Sequence, residues 1–95
     1  MNLPLVTIAI PVYNCQSYIE NCLKSVTAQT YQNIEILLVD DAGTDNSMVL
    51  VENFMQQNTN FQYSVFRNKS NTGLSIVRNL GIDNAKGKYI FFLDS

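Results

Sequence analysis

IEILLVDD, residues 34–41, is the stretch that decides the architecture. Its apolar residues run almost without interruption and close on two aspartates. A strand with one wet face alternates apolar with polar residues, whereas a near-continuous run suits a strand covered on both faces, as in a parallel sheet. Upstream, VTIAI (6–10) is rich in β-formers and is expected to end at Pro11. Downstream, FQYSVFRN (61–68) and the segment from Lys88 to Leu93 complete a set of four strands. Between them lie three helical patterns. Cys15, Tyr18, Ile19, Cys22, Leu23 and Val26 draw one helix face, with Asn14 as the expected N-cap. Leu50, Val51, Phe54 and Met55 point a second helix, about 47–57, inward; Ile76, Val77 and Leu80 do so for a third, from Thr72 to Ala85. Glycine around Lys86 ends that helix. The order β-α-β-α-β-α-β predicts right-handed crossovers and a three-layer α/β fold with a mainly parallel sheet.

The chain has 95 residues, 46% hydrophobic and 15% charged, which suits one small globular domain. A net charge of −2 with six basic residues leaves no basic stripe for nucleic acid. No apolar run approaches the roughly 18 residues of a membrane span, and the first residues lack the basic start of a signal peptide. A cytoplasmic chain is the expectation. Cys15 and Cys22 on one helix would stand roughly 10 Å apart, too far for a disulfide. With no histidine, zinc is a poor match.

In sheets of this kind the ligand lies beyond the carboxyl ends of the strands. The chemically interesting residues fall there: Pro11, Tyr13 and Asn14, then Asp40 and Asp41, then Arg67 and Asn68, then Asp94. Adjacent Asp40 and Asp41 point to opposite faces of an extended chain, so they form no close dyad. They either accept from a ligand or satisfy amides of the turn. Thr44 and Asp45 suit helix capping. Arg78, one turn into the third helix, is either a solvated arginine or a fork for phosphate oxygens. Three aspartates around one crevice would repel a phosphorylated ligand unless a divalent cation intervened, and oxygen ligands favour Mg²⁺ or Mn²⁺.

Other α/β readings fail on placement. PVYNCQ after the first strand is not G-x-G-x-x-G, no P-loop is present, and the acidic pair follows strand two rather than strand one. Instead, TIAIPVYNCQSYIENCLKSVTAQTYQNIEILLVDDAGTDNS with NTGLSIVRNLGIDNAKGKYIFFLDS resembles the start of a bacterial family-two inverting glycosyltransferase of the GT-A fold, over essentially the whole chain.

The resemblance implies the nucleotide-binding half of such an enzyme, truncated, as a single domain over residues 1–95. Pro11, Val12 and Tyr13 would line the nucleoside pocket, Asp41 would accept from the uracil imide, and Asp40 would support loop or ribose. Arg78, within G-x-S-x-x-R-N, would sit near base and diphosphate. Asp94 would be the first aspartate of a D-x-D motif, near ribose and metal. The donor would be a UDP-sugar, the acceptor a glycan or lipid-linked molecule, the metal Mg²⁺ or Mn²⁺, and the parent protein peripheral to the inner membrane face. Ala42-Gly43 departs from the family's usual Gly-Ser or Ala-Ser. The expected continuation is D-S-D-D, so Ser95 reads as a cut inside the site, with no catalytic residue in the chain and the base beyond it. As cut, the chain is expected to be inactive and to self-associate through an exposed sheet edge. A non-catalytic scaffold of the same fold and a nucleotidyltransferase are the competing readings.

Overall fold

The computed structural model describes residues 3–94, so expectations placed on Ser95 lie outside the described residues. β1 (Val6–Val12), β2 (Ile34–Asp40), β3 (Gln62–Arg67) and β4 (Tyr89–Phe92) form one sheet. The order is β3-β2-β1-β4 and every pairing is parallel. The register aligns Val12 with Asp40, Asp40 with Arg67, and Ala9 with Phe92. All four carboxyl ends therefore share one edge, and the direction of strand order reverses at β1, where α/β folds form their crevice.

Side-chain alternation sorts the core into two layers. Ile8, Ile10, Ile36 and Leu38 pack with α1 (Ile19–Ala28) and α2 (Ser47–Gln56), through Ile19, Leu23, Val26, Val51 and Met55. On the other face Leu37 and Val39 meet Val77 of α3 (Leu74–Asn84), with Leu80 alongside. Every residue of β2 but Asp40 is buried, as its unbroken apolar run requires. Each fully buried isoleucine or leucine contributes roughly 1.5–3 kcal/mol to holding the layers together.

Four expectations need correction. β1 runs through Pro11 to Val12 instead of stopping. The backbone of Ala9 faces β4, accepting from Leu93 N, so two residues on, Pro11 also faces β4. Its missing N–H would have answered Leu93, so the proline costs the β1–β4 side that one bond and leaves the β1–β2 ladder untouched. α1 begins at Ile19, not Cys15, because the amides of Cys15 and Gln16 donate to Ser47 Oγ and Asp45 Oδ2. Asn14 accordingly caps nothing there. Finally, Tyr18 and Ile76 are exposed; α3 turns Gly81 inward instead, against Ala9 and Phe92.

Candidate functional site

Two loops build one wall. Asn14 sits in the left-handed region (φ 47°), which asparagine tolerates. Its Oδ1 accepts from Thr44 N at 2.7 Å and Asp45 N at 3.2 Å. Asp45 in turn accepts from Ser47 N and Oγ and from Gln16 N. Its carboxyl lies below the ordinary range, chiefly through the Ser47 hydroxyl, against a smaller opposing effect of burial. The capping expected of Thr44 and Asp45 is not what forms: Asn46 stands at the start of α2, whose end no side chain caps. Asp45 instead closes a turn onto Ser47 and ties the β1–α1 and β2–α2 loops together. Tyr13, next to Asn14 in the chain, is 49% exposed at the rim.

Asp40 and Asp41 point to opposite sides, as their adjacency requires. Asp40 Oδ1 accepts from Gly43 N, closing its own turn. Asp41 is 4% exposed and reaches across to the β3–α3 loop. Its Oδ1 accepts from Asn68 Nδ2 (2.8 Å), Thr72 Oγ1 (2.7 Å) and Thr72 N (3.0 Å); its Oδ2 accepts from Gly73 N (3.0 Å) and shares Thr72 N (3.1 Å). Burial raises the Asp41 carboxyl, but the Thr72, Asn68 and Gly73 donors outweigh it and hold it below the ordinary value.

Beside this clamp lies a cleft of about 230 Å³ lined by Pro11, Tyr13, Asp41, Asn71, Gly73, Leu74 and Val77. The structure therefore brings Pro11, Tyr13 and Asp41 together. Val12 is a correction: alternation turns its side chain into the α1–α2 core, fully buried, and it does not line the cleft. Arg78 is exposed and lies over the Phe92 ring, 5.7 Å from its centroid. Asp94 follows β4 level with Pro11 by register, and its carbonyl oxygen lies 4.0 Å from Cys22 Sγ. Burial, then Cys15, then Asp94 push the Cys22 thiol up, so it is a poor nucleophile. Arg67 pairs with Glu52 of α2 rather than facing the cleft.

Sequence reasoning passed over Thr72 and Asn68 as partners of Asp41, and Leu74 as part of the cleft. The available signal was Thr-Gly immediately ahead of α3: Gly73 adopts φ 88°, a conformation glycine alone takes readily, and aims its amide at Asp41.

The described residues fit a divalent ion only in part. No group of three or more His, Cys, Asp or Glu among them could hold one, so Asp94 stands as a single carboxylate. A larger cavity, about 630 Å³, lies on the α1 face beneath β4, bordered by Val6, Val26, Tyr31, Tyr89 and Phe91. Its walls are apolar, and the aspartates of the carboxyl edge take no part in it. No described helix is long and apolar enough to cross a membrane.

Residues 7–95 match the family described as Glycosyl transferase family 2. A glycosyltransferase of Haemophilus influenzae, itself described as uncharacterised, is 40% identical over all 95 residues, which span 37% of that protein. The glycosyltransferase GlyG of Streptococcus pneumoniae is 41% identical over 91 residues, 96% of this chain and 30% of its own length. The chain thus spans about a third of these relatives. Among solved structures, the mannosyltransferase PcManGT from Pyrobaculum calidifontis, in complex with GDP-Man and Mn²⁺, superposes with a TM-score of 0.92 at 24% identity, covering 99% of this chain and 28% of that one. TarS of Staphylococcus aureus in complex with UDP gives 0.85 at 28% identity, covering 95% and 27%. The parallel sheet expected from the GT-A resemblance is the fold these structures share.

Proposed function

The chain belongs to glycosyl transferase family 2, and from that premise we propose that it is the donor-binding part of a longer, inverting glycosyltransferase that uses a UDP-sugar. The observation that carries this reading is the meeting of Pro11, Tyr13 and Asp41 on one cleft at the carboxyl edge of the sheet. There the Tyr13 ring offers a stacking face for a base, and ionised Asp41 accepts a base N–H. Asp40 keeps the β2–α2 turn closed under the ribose. Arg78 swings from Phe92 toward the diphosphate, where its fork suits phosphate oxygens.

In the transfer, an acceptor hydroxyl on a glycan or lipid-linked molecule attacks the anomeric carbon. The bond from that carbon to the diphosphate oxygen breaks, UDP departs, and the configuration inverts. A general base outside the described residues takes the hydroxyl proton. Asp94 would give one ligand to a Mg²⁺ or Mn²⁺ ion, whose charge would offset that of the departing diphosphate; the Mn²⁺ in the solved structure of GalNAc-T7, 28% identical to this chain, supports that part of the reading. The parent protein would work at the inner face of the membrane, from the cytoplasm.

β4 is an outer strand with one edge unpaired among the described residues, and its Phe91 is 60% exposed. The 95-residue chain by itself would therefore self-associate through that edge, and without the general base it would be inactive. Light scattering of the isolated chain should show dimers or larger species; a monodisperse monomer would refute this part.

Calorimetric titration of the intact protein with UDP and Mn²⁺ tests the main reading. Binding is expected, and Asp41→Ala should abolish it. Absence of binding would overturn the reading, and indifference to Asp41→Ala would favour a scaffold that keeps the fold alone.

A further inference from the structure

We propose that Thr72 and Asn68 are positioning residues that set the nucleobase selectivity of the cleft, by fixing how Asp41 presents its one spare acceptor. The inference rests on the nucleoside-binding reading above and concerns residues that never need to touch the reacting sugar.

A carboxylate offers about four acceptor positions. Asp41 Oδ1 is consumed by Asn68 Nδ2, Thr72 Oγ1 and Thr72 N, all within 3.0 Å. Oδ2 takes Gly73 N at 3.0 Å and only a share of Thr72 N. What capacity remains is therefore on Oδ2, and Asp41 borders the cleft with only 4% of its surface open. Thr72 Oγ1 also accepts from Asn68 Nδ2 at 3.2 Å, so the two side chains hold each other as well as the carboxylate. Five donor contacts from Asn68, Thr72 and Gly73 hold both oxygens, so turning the carboxylate would break several of them at once.

That grip has a chemical consequence. An ionised carboxylate can only accept, so the base edge facing Oδ2 must donate. Uracil presents a ring N–H there. Cytosine presents a ring nitrogen lone pair at the same place, and two acceptors face to face repel. A loosely held carboxylate could turn to meet the exocyclic amino group of cytosine; a clamped one cannot. Selectivity of this kind arises from the unpaired polar groups a wrong ligand leaves behind.

The test compares UDP and CDP, each with Mn²⁺, by calorimetry on the intact protein carrying Thr72→Val, Thr72→Ser or Asn68→Ala. The unaltered protein should favour UDP at least tenfold. Thr72→Val keeps the side-chain shape but removes the hydroxyl; UDP affinity should fall about tenfold and the preference for UDP should collapse toward parity. Thr72→Ser keeps the hydroxyl and should restore the preference. If Thr72→Val does not fold, Asn68→Ala removes the other side-chain donor on Oδ1 and should narrow the preference in the same way. A folded Thr72→Val with undiminished preference, or Thr72→Ser as damaged as Thr72→Val, overturns the inference while leaving the nucleoside reading intact. Failure of the unaltered protein to bind either nucleotide overturns both.

Discussion

Strand β2 carries a buried carboxylate near each end, on the same face, and α3 is held between them. At the carboxyl end Asp41 grips Thr72 and Gly73 just before the helix. At the amino end Glu35, 5% exposed, accepts from Lys86 N just after it at 2.6 Å, and from Thr7 Oγ1 at 2.6 Å; that hydroxyl accepts in turn from Gly87 N at 3.0 Å. The two clamps share a construction and differ in surroundings. Asp41 borders a cleft, whereas Glu35 borders neither cavity. The amino-end clamp therefore does one job, setting where β4 begins. The carboxyl-end clamp does a second as well, because whatever enters the cleft meets the same carboxylate that anchors the helix.

The comparison breaks first if Glu35→Ala is harmless. Removing the acceptor strands a buried hydroxyl and a backbone amide, and the expected loss is about 3 kcal/mol in chemical denaturation. UDP affinity of the folded protein should stay unchanged; a large loss of affinity would mean the two ends are not separable.

The glycines sharpen the contrast. A Cβ on Gly87 would stand 2.6 Å from Thr7 Oγ1, 2.7 Å from Thr7 N and 2.9 Å from Leu5 O, mostly backbone that cannot move aside. Gly87→Ala should cost about 2–3 kcal/mol by overpacking. At Gly73 there is open space, and the penalty is conformational, from φ 88°. Gly73→Ala should cost about 1–2 kcal/mol and, unlike Gly87→Ala, weaken UDP binding. Equal effects on binding would erase the distinction.

Acid probes the carboxyl-end clamp more gently. The folded-state carboxyl of Asp41 lies below its ordinary value of 3.8. Its stabilising contribution is therefore complete above that value and is lost as pH falls through the lower, folded one. Denaturation curves collected across this acidic range should steepen their loss for the unaltered protein and flatten for Asp41→Asn; identical slopes would contradict the sign. The smallest effect is expected at Ala42, which holds φ 64°. Ala42→Gly should raise stability by at most about 1 kcal/mol, the relief of the left-handed backbone less the extra freedom glycine gives the unfolded chain, read as a small rise in Tm with no change in binding.

Much of this was legible because it depends on local pattern. The unbroken run in β2 announced a covered strand, and the aspartate spacing announced opposite faces. Pro11 misled because whether a proline ends a strand depends on which neighbour its nitrogen faces, and that is set by β4, some eighty residues away. The start of α1 misled for a similar reason: the Cys15 and Gln16 amides are claimed by Ser47 and Asp45. Tyr18 and Ile76 sit at helical spacing yet face solvent: Tyr18 precedes the first residue of α1, and α3 is covered along a narrower stripe than the periodicity suggests. The Asp41–Thr72 contact spans 31 residues and obeys no local period; only Thr-Gly before a helix hinted at it.

The measurement closest to the central claim is a structure of the intact protein with UDP and Mn²⁺. The base should stack at Tyr13 with its ring N–H on Asp41 Oδ2, between Pro11 and Leu74. A nucleotide seated elsewhere, such as under β4 against Tyr89 and Phe91, with Asp41 untouched, would contradict the account.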